Sequence, residues 1–314
     1  MATYRWAALT IATDVDLPEL PESDGADAPV WRFTLADGAA PRRPRRWFHH
    51  WRLPDGRRWV AFARDDSGYL LRFPQLADFH IELAGRTIRG YRNAAVPLHT
   101  VRHLLLDQLL PLVAGGPDRL ALHGSVVAFD RGAAAFLAGP GYGKSTLAAR
   151  LAMRGRPLIS DDCCLLRRVG DRFEAVPSYP GARLTPEAIG ALFGEHSALF
   201  EEVAHYTTKR RVAIEEAVPY CAQPLPLARI YVLGDMEELL DAADVAIRPQ
   251  PKRAALFDLL NYTFHLDVGY APRIREAFGL AADVVERHDV RRLVFPWAAG
   301  AGDRVADAVV ADLS

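Results

Sequence analysis

The stretch Ala135 to Asp162, AFLAGPGYGKSTLAARLAMRGRPLISDD, limits the possible folds more than any other part of the chain. An apolar run, Ala133 to Ala138, reads as a buried strand. It breaks into Gly139-Pro140-Gly141-Tyr142-Gly143, and Lys144-Ser145-Thr146 then opens a helical pattern that runs to Arg154. Strand, glycine-rich loop and helix, in that order, are what a phosphate-binding loop requires. Glycines let backbone N–H groups curl around phosphate oxygens, and the helix N-terminus adds a partial positive charge. On this reading residues Gly139 to Thr146 cradle the phosphates of ATP, Lys144 reaches the β- and γ-phosphates, and Ser145 ligates Mg²⁺. The pattern G-x-x-x-x-G-K-[ST] asks for glycine at position 138, where this chain has Ala138. Gly139 and Gly141 are expected to supply the flexibility instead. Without a ligand, the same stretch would be a plain strand–turn–helix corner.

Gly155 suits the end of that helix, and Pro157 to Ser160 reads as a short strand ending in Asp161-Asp162. A strand entered so soon after the loop helix should run parallel to the loop strand, with both carboxyl ends at one edge. Ligands of open α/β sheets sit at that edge. Connectivity alone therefore puts Asp161 and Asp162 near the γ-phosphate. Adjacent acids at a strand end diverge, so one can hold Mg²⁺ and the other can accept a proton from an attacking hydroxyl.

The formal net charge of -1 argues against nucleic acid as a general partner. Three cysteines, Cys163, Cys164 and Cys221, make no metal or disulfide framework, which points to a reducing compartment. No stretch has the apolar length of a membrane span, and Met1 to Thr13 lacks the apolar core of a signal peptide. The expectation is a cytoplasmic protein with no membrane partner.

Residues 1 to 95 read as a β-rich region. Apolar runs at Trp6 to Ala12, Val30 to Leu35, Arg58 to Ala63, Tyr69 to Phe73 and Phe79 to Leu83 are separated by turn residues. Asp14 to Pro29 reads as a loop. Pro41 to Arg46 is a basic run before Trp47-Phe48-His49-His50-Trp51. Basic residues beside aromatics can hold an acidic peptide or nucleic acid, but in a chain that is not basic elsewhere the run is read as a solvated loop leading into a strand. Val96 to Val113 carries a helical period and marks the junction, so that residues 96 to 314 form the second domain, with the helix at 96 to 114 as its border. His123 opens a strand that returns through Asp130-Arg131-Gly132 to the loop strand. Arg183 follows a turn after Tyr179-Pro180-Gly181, and Lys209-Arg210-Arg211 is a second cationic run. Helices are expected at 250 to 268, at Arg273 to Phe278 and at Gly302 to Leu313, and strands at Ala228 to Leu233 and Arg291 to Phe295.

LHGSVVAF, the glycine turn, the loop segment ending in ISDD, and YPGARL together resemble the HPr serine kinase/phosphorylase superfamily. The likeness is greatest to the HPr-kinase-like serine kinases found with modified-peptide (lasso peptide) clusters. Its specific part covers about residues 120 to 185. The resemblance implies an α/β fold with a P-loop kinase core of the HPr kinase/phosphoenolpyruvate carboxykinase type, here behind a β-rich N-terminal region. It implies Mg²⁺ and ATP as cofactors. By position, His123 would lie near the transferred phosphate, Asp161 would be the catalytic base, and Asp162 would join Ser145 at the metal. Lys144 would act in catalysis and phosphate binding, with Arg183, Lys209 and Arg210 as further phosphate neighbours. The chain lacks the E-I-R-G-L-G type segment of the bifunctional enzymes, which leaves HPr as acceptor and phosphorolysis unsupported.

The expected function is transfer of the γ-phosphate of Mg·ATP to a serine or other hydroxyl on a peptide or protein. The alternatives are a small-molecule kinase on the same core and a regulatory protein that binds ATP without transfer. The acceptor's identity and the oligomeric state stay open; the related kinases form rings.

Overall fold

The computed structural model describes residues 1–23, 30–40, 46–53, 55–194, 200–212, 218–298 and 300–314. The chain is a mixed α/β protein with two large sheets. It divides into two compact units, Met1–Leu109 with Asp267–Gly269, and Leu110–Leu266 with Tyr270–Ser314. The basic run at 41–45 and part of the loop expected at 14–29 lie outside the described residues.

The first unit carries an eight-stranded sheet. In spatial order its strands are Ala2–Trp6, Leu9–Thr13, Val30–Asp37, Thr87–Arg92, Ala77–Glu82, Gly68–Phe73, Arg58–Asp65 and Trp47–Arg52. The single strand expected at Trp6 to Ala12 is instead the corner of a hairpin, because Ala7 turns the chain with φ +49°. The helix expected at 96 to 114 spans Leu98 to Ala114, but its middle, Leu104–Leu109, is π-helical. Pro111 gives the reason: it has no N–H to offer the carbonyl four residues back and its ring crowds that carbonyl, and a wider turn relieves both faults.

In the second unit the loop strand Gly132–Leu137 is buried along its whole length. One neighbour is the antiparallel strand Gly124–Phe129, and the other is the parallel strand Leu225–Leu233. Leu158–Ser160 pairs antiparallel with Gly124–Phe129. It therefore points the same way as the loop strand, one strand removed from it. Asp289–Val294 runs parallel to Leu225–Leu233 on the far side. Four strands thus deliver their carboxyl ends to one edge.

Alternation along the loop strand sorts the core into two layers. Ala134, Phe136 and Ala138 face the loop helix Lys144–Met153 and the C-terminal helix Ala301–Leu313. Ala133, Ala135 and Leu137 face the helices Lys252–Tyr262 and Ala271–Arg287. A sheet covered on both faces explains why these strands read as unbroken apolar runs.

Leu225–Leu233 also belongs to a second bank of strands. Its start, Leu225 and Pro226, pairs with Ala175 and Glu174 of Arg172–Val176. That bank continues through Cys164–Val169 to Arg119–Leu122. The chain crosses from Arg119–Leu122 to Gly124–Phe129 at His123 alone. Gly124 makes the crossing possible, since a Cβ there would come within 2.5 Å of Leu137 Cδ2 and 2.8 Å of the Phe136 carbonyl.

Candidate functional site

The loop and its helix come first. Gly141 and Gly143 take φ of +87° and +82°, the left-handed region that favours glycine. Ala138 is not among the residues of positive φ. Its place therefore needs no glycine, and the departure at 138 has no conformational cost. The loop helix starts at Lys144 with Gly143 as its N-cap, no side chain caps it, and its first turn has no acid. Its first-turn N–H groups keep their attraction for an anion. The helix Pro186–Phe193 differs in being capped by the Thr185 side chain.

Lys144 is buried, and its ammonium donates to the carbonyls of Ala138 at 2.8 Å and Gly139 at 2.9 Å. Burial pushes its pKa from 10.5 down to about 8; Asp161 opposes that shift, while Lys209 and Arg183 add to it.

The acid pair sits at the end of Leu158–Ser160, and its two members differ. Asp161 is buried and fully engaged. Its Oδ1 accepts the hydroxyls of Ser125 at 2.7 Å and Ser145 at 2.8 Å, and its Oδ2 accepts the backbone N–H of Arg183 at 2.9 Å. Asp162 is the centre of a three-residue turn, closed by the Cys163 N–H on the Asp161 carbonyl at 2.8 Å, with φ +60°. Such a turn is rare and strained, and strain of this kind gathers at functional sites. The turn separates the two carboxylates, and that of Asp162 pairs with the Arg183 guanidinium.

Arg183 reaches the site from Ala182–Leu184, a strand of a small sheet with Arg210–Val212 and Glu201–Glu202. In that sheet Arg183 lies opposite Arg211. Lys209, just before the strand, is close enough to act on both Lys144 and His123. Arg210 is not brought to the site: its guanidinium donates to the Phe200 carbonyl at 3.0 Å and lies 3.9 Å from Glu202.

His123 is held between the two strand banks. Its N–H donates to the Tyr262 carbonyl at 2.7 Å, and its ring meets Phe264 edge-on at 6.0 Å. Nδ1 lies 3.2 Å from the carbonyl of Asp162. A carbonyl only accepts, so Nδ1 carries the hydrogen. Burial, and then Lys144, Arg183 and Lys209, hold the ring's pKa well below 6.5. The imidazole is therefore neutral, with its lone pair on Nε2, which is buried and has no hydrogen-bond partner among the described residues.

Of these residues, Ser125 carries a signal in the sequence. Ser125 follows His123 by two, so strand alternation puts both on one face. Tyr179, buried, carries the Arg211 guanidinium over its ring at 5.6 Å. Cys164 is inert: burial pushes its thiol up to about 12.

No protein family matches the chain as a whole or in part. No curated protein matches it either. Among solved structures it is similar to the HPr(Ser) kinase/phosphatase from Coxiella burnetii, at 14% identity and a TM-score of 0.33, over 61% of this chain and 88% of that one. A likeness of that size carries no argument, and the functional reading rests on the residues. Among the described residues no three His, Cys, Asp or Glu gather as a metal cluster. No helix among them is long and apolar enough to cross a membrane.

The donor set fits Mg·ATP. A buried ammonium with two further cations nearby, at an uncapped helix start, suits a polyphosphate. Ser145 and Asp161, already sharing a hydrogen bond, suit Mg²⁺, which takes one or two protein oxygens and fills its shell with phosphate and water.

Proposed function

We propose that this protein is an ATP-dependent kinase whose acceptor is a hydroxyl on a peptide or protein, of the HPr-kinase-like type. The observation that carries the reading is the Ser145–Asp161 hydrogen bond of 2.8 Å. It joins the first turn of a P-loop helix to the acid at the end of Leu158–Ser160, one strand removed from the loop strand, as a shared Mg²⁺ site requires. Bound Mg·ATP would supply the γ-phosphoryl group.

The chain's own residues divide the remaining work. Lys144 and the loop N–H groups hold the phosphates, and Lys209 adds charge beside them. Asp161 orients Ser145 and stands on the metal side, since its Oδ1 holds the Ser145 hydroxyl while its Oδ2 is taken by the Arg183 backbone N–H. This reverses the division that the sequence suggested between Asp161 and Asp162. Asp162, oriented by Arg183, and the lone pair of His123 Nε2 are left to accept the proton of the incoming hydroxyl. Most of the rate would come from positioning and charge neutralisation.

The test is calorimetric titration of Mg·ATP into the wild type and Lys144→Ala, followed by intact-mass analysis of serine-bearing peptides incubated with enzyme and Mg·ATP. Binding lost in the variant and one added phosphate on a peptide are expected. A wild type that binds no Mg·ATP overturns the reading.

A further inference from the structure

A cavity of about 330 Å³ opens beside the loop helix, lined by Gly143, Thr146, Leu147, Phe295, Trp297 and Val305 among others. That is near the lower end of small-molecule pockets, about 300–1,000 Å³. The kinase reading gives this cavity no occupant.

Its position follows from the topology. Phe295, Pro296 and Trp297 leave the carboxyl end of Asp289–Val294, at the same sheet edge as the glycine loop. Gly143 and Thr146 belong to both the loop and the cavity wall. A molecule gripped by its phosphates at the loop would have its next part at this wall.

The lining is apolar rather than ionic. Its cation Arg150 is committed to Asp303, with Nη1 2.8 Å from Oδ1, so the cavity offers no second phosphate site. Trp297 stands over the loop: its ring lies 3.7 Å from where a Cβ on Gly143 would be. Its main chain is fixed, the N–H donating to the Leu239 carbonyl at 2.9 Å, yet the side chain stays 43% exposed. A pinned tryptophan with an open face beside a loop for phosphates is suited to stack on a flat ring.

We propose that this cavity is the subsite for the heteroaromatic base of the nucleotide, with Trp297 as its stacking platform. The proposal rests on the kinase reading for the phosphates but assigns a part of the ligand that the reading leaves unplaced.

The experiment compares ATP with inorganic triphosphate, each with Mg²⁺, by calorimetry on the wild type, Trp297→Ala and Trp297→Phe, and follows tryptophan fluorescence during each titration. Trp297→Ala should weaken ATP about tenfold, the size of one lost base–aromatic stack, and leave triphosphate unchanged. Trp297→Phe should retain most of the ATP affinity. ATP should quench the wild type more than triphosphate does, and the difference should vanish in Trp297→Phe. If ATP binds Trp297→Ala as tightly as the wild type, or if ATP and triphosphate weaken alike, the base subsite is wrong while the phosphate site stands. If the wild type binds neither molecule, the kinase reading fails and this proposal with it.

Discussion

The Ser145 hydroxyl donates to Oδ1 of Asp161 across 2.8 Å, and the same oxygen accepts Ser125 at 2.7 Å. A residue of the loop helix, a residue of the strand after His123 and the acid at the end of Leu158–Ser160 are thus tied at one atom. Asp162, one residue on, takes no part in this knot and pairs with Arg183 instead. Two adjacent carboxylates have different side-chain partners.

Their separate substitution tests that division. Asp161→Asn should bring the affinity for ATP in Mg²⁺ down to the value found with the metal chelated. Asp162→Asn keeps a side chain that tolerates positive φ. It should hold Mg·ATP as well as the wild type and slow transfer by about 10²-fold or more. Calorimetry with and without Mg²⁺, beside a transfer assay, reads both. The opposite pattern would return the metal to Asp162.

Ser125→Ala removes a hydroxyl from a buried carboxylate. A hydrogen bond to a charged group contributes about 1.5–3 kcal/mol, so urea denaturation should show a loss of that size. An unchanged midpoint would mean that the Asp161 oxygen finds another donor.

Lys144 costs stability in the absence of ligand. Its folded pKa, about 8, lies below the ordinary 10.5. The protonated ammonium therefore penalises the folded state fully below about pH 8, and the penalty fades as the pH rises towards 10.5. A shift of that size corresponds to roughly 3 kcal/mol, partly offset by its hydrogen bonds to two carbonyls. Lys144→Met should melt higher than the wild type near pH 7, with a gap that narrows in alkali, and should gain nothing from added Mg·ATP. A variant that melts lower at neutral pH would show that the two hydrogen bonds outweigh the burial.

His123 gives the acid side. Its folded pKa lies well below 6.5, so it stays neutral in the fold while an unfolded chain protonates it. The wild type should lose stability as the pH falls from about 6.5 towards the folded value, by up to about 1.4 kcal/mol per pH unit from this group. His265 and His288, whose pKa values burial also lowers, contribute to wild type and variant alike. Thermal melts of wild type and His123→Gln across this range should diverge in acid and run parallel above it. Parallel curves throughout would place the His123 ring in contact with water.

Much of the site was legible because it is built from neighbours in sequence. The helical pattern that opens at Lys144-Ser145-Thr146 and runs to Arg154 is the helix Lys144–Met153, and the strand expected to end at Ser160 does so. Glycines at positive φ and a strand feeding a helix are local matters, decided within a few residues. The departure at Ala138 could be seen but not weighed, because its tolerance depends on a backbone angle.

Other expectations failed where distant segments compete with local preference. The helix expected over 250 to 268 covers only Lys252–Tyr262. It stops because Tyr262 and Phe264 pair with His123 and Ala121. The helix expected over Arg273 to Phe278 is longer, Ala271–Arg287, since its apolar stripe is completed by Leu280, Val284 and Val285 in the core. Arg210 and Lys209 are adjacent and alike in charge, yet of the two it is Lys209 that lies near enough to influence Lys144 and His123. Strand pairing turns Arg210 to Phe200 and Glu202.

By itself, then, the sequence determined the order strand, glycine loop, helix, strand and acid pair, because spacing and backbone freedom are properties of a short segment. Only the tertiary structure decided which carboxylate meets Ser145, that His123 is neutral with its lone pair on Nε2, and that Trp297 stands beside Gly143. Each of these depends on desolvation, charge or contact between residues far apart in the chain, and such terms exist only once the sheet has brought them together.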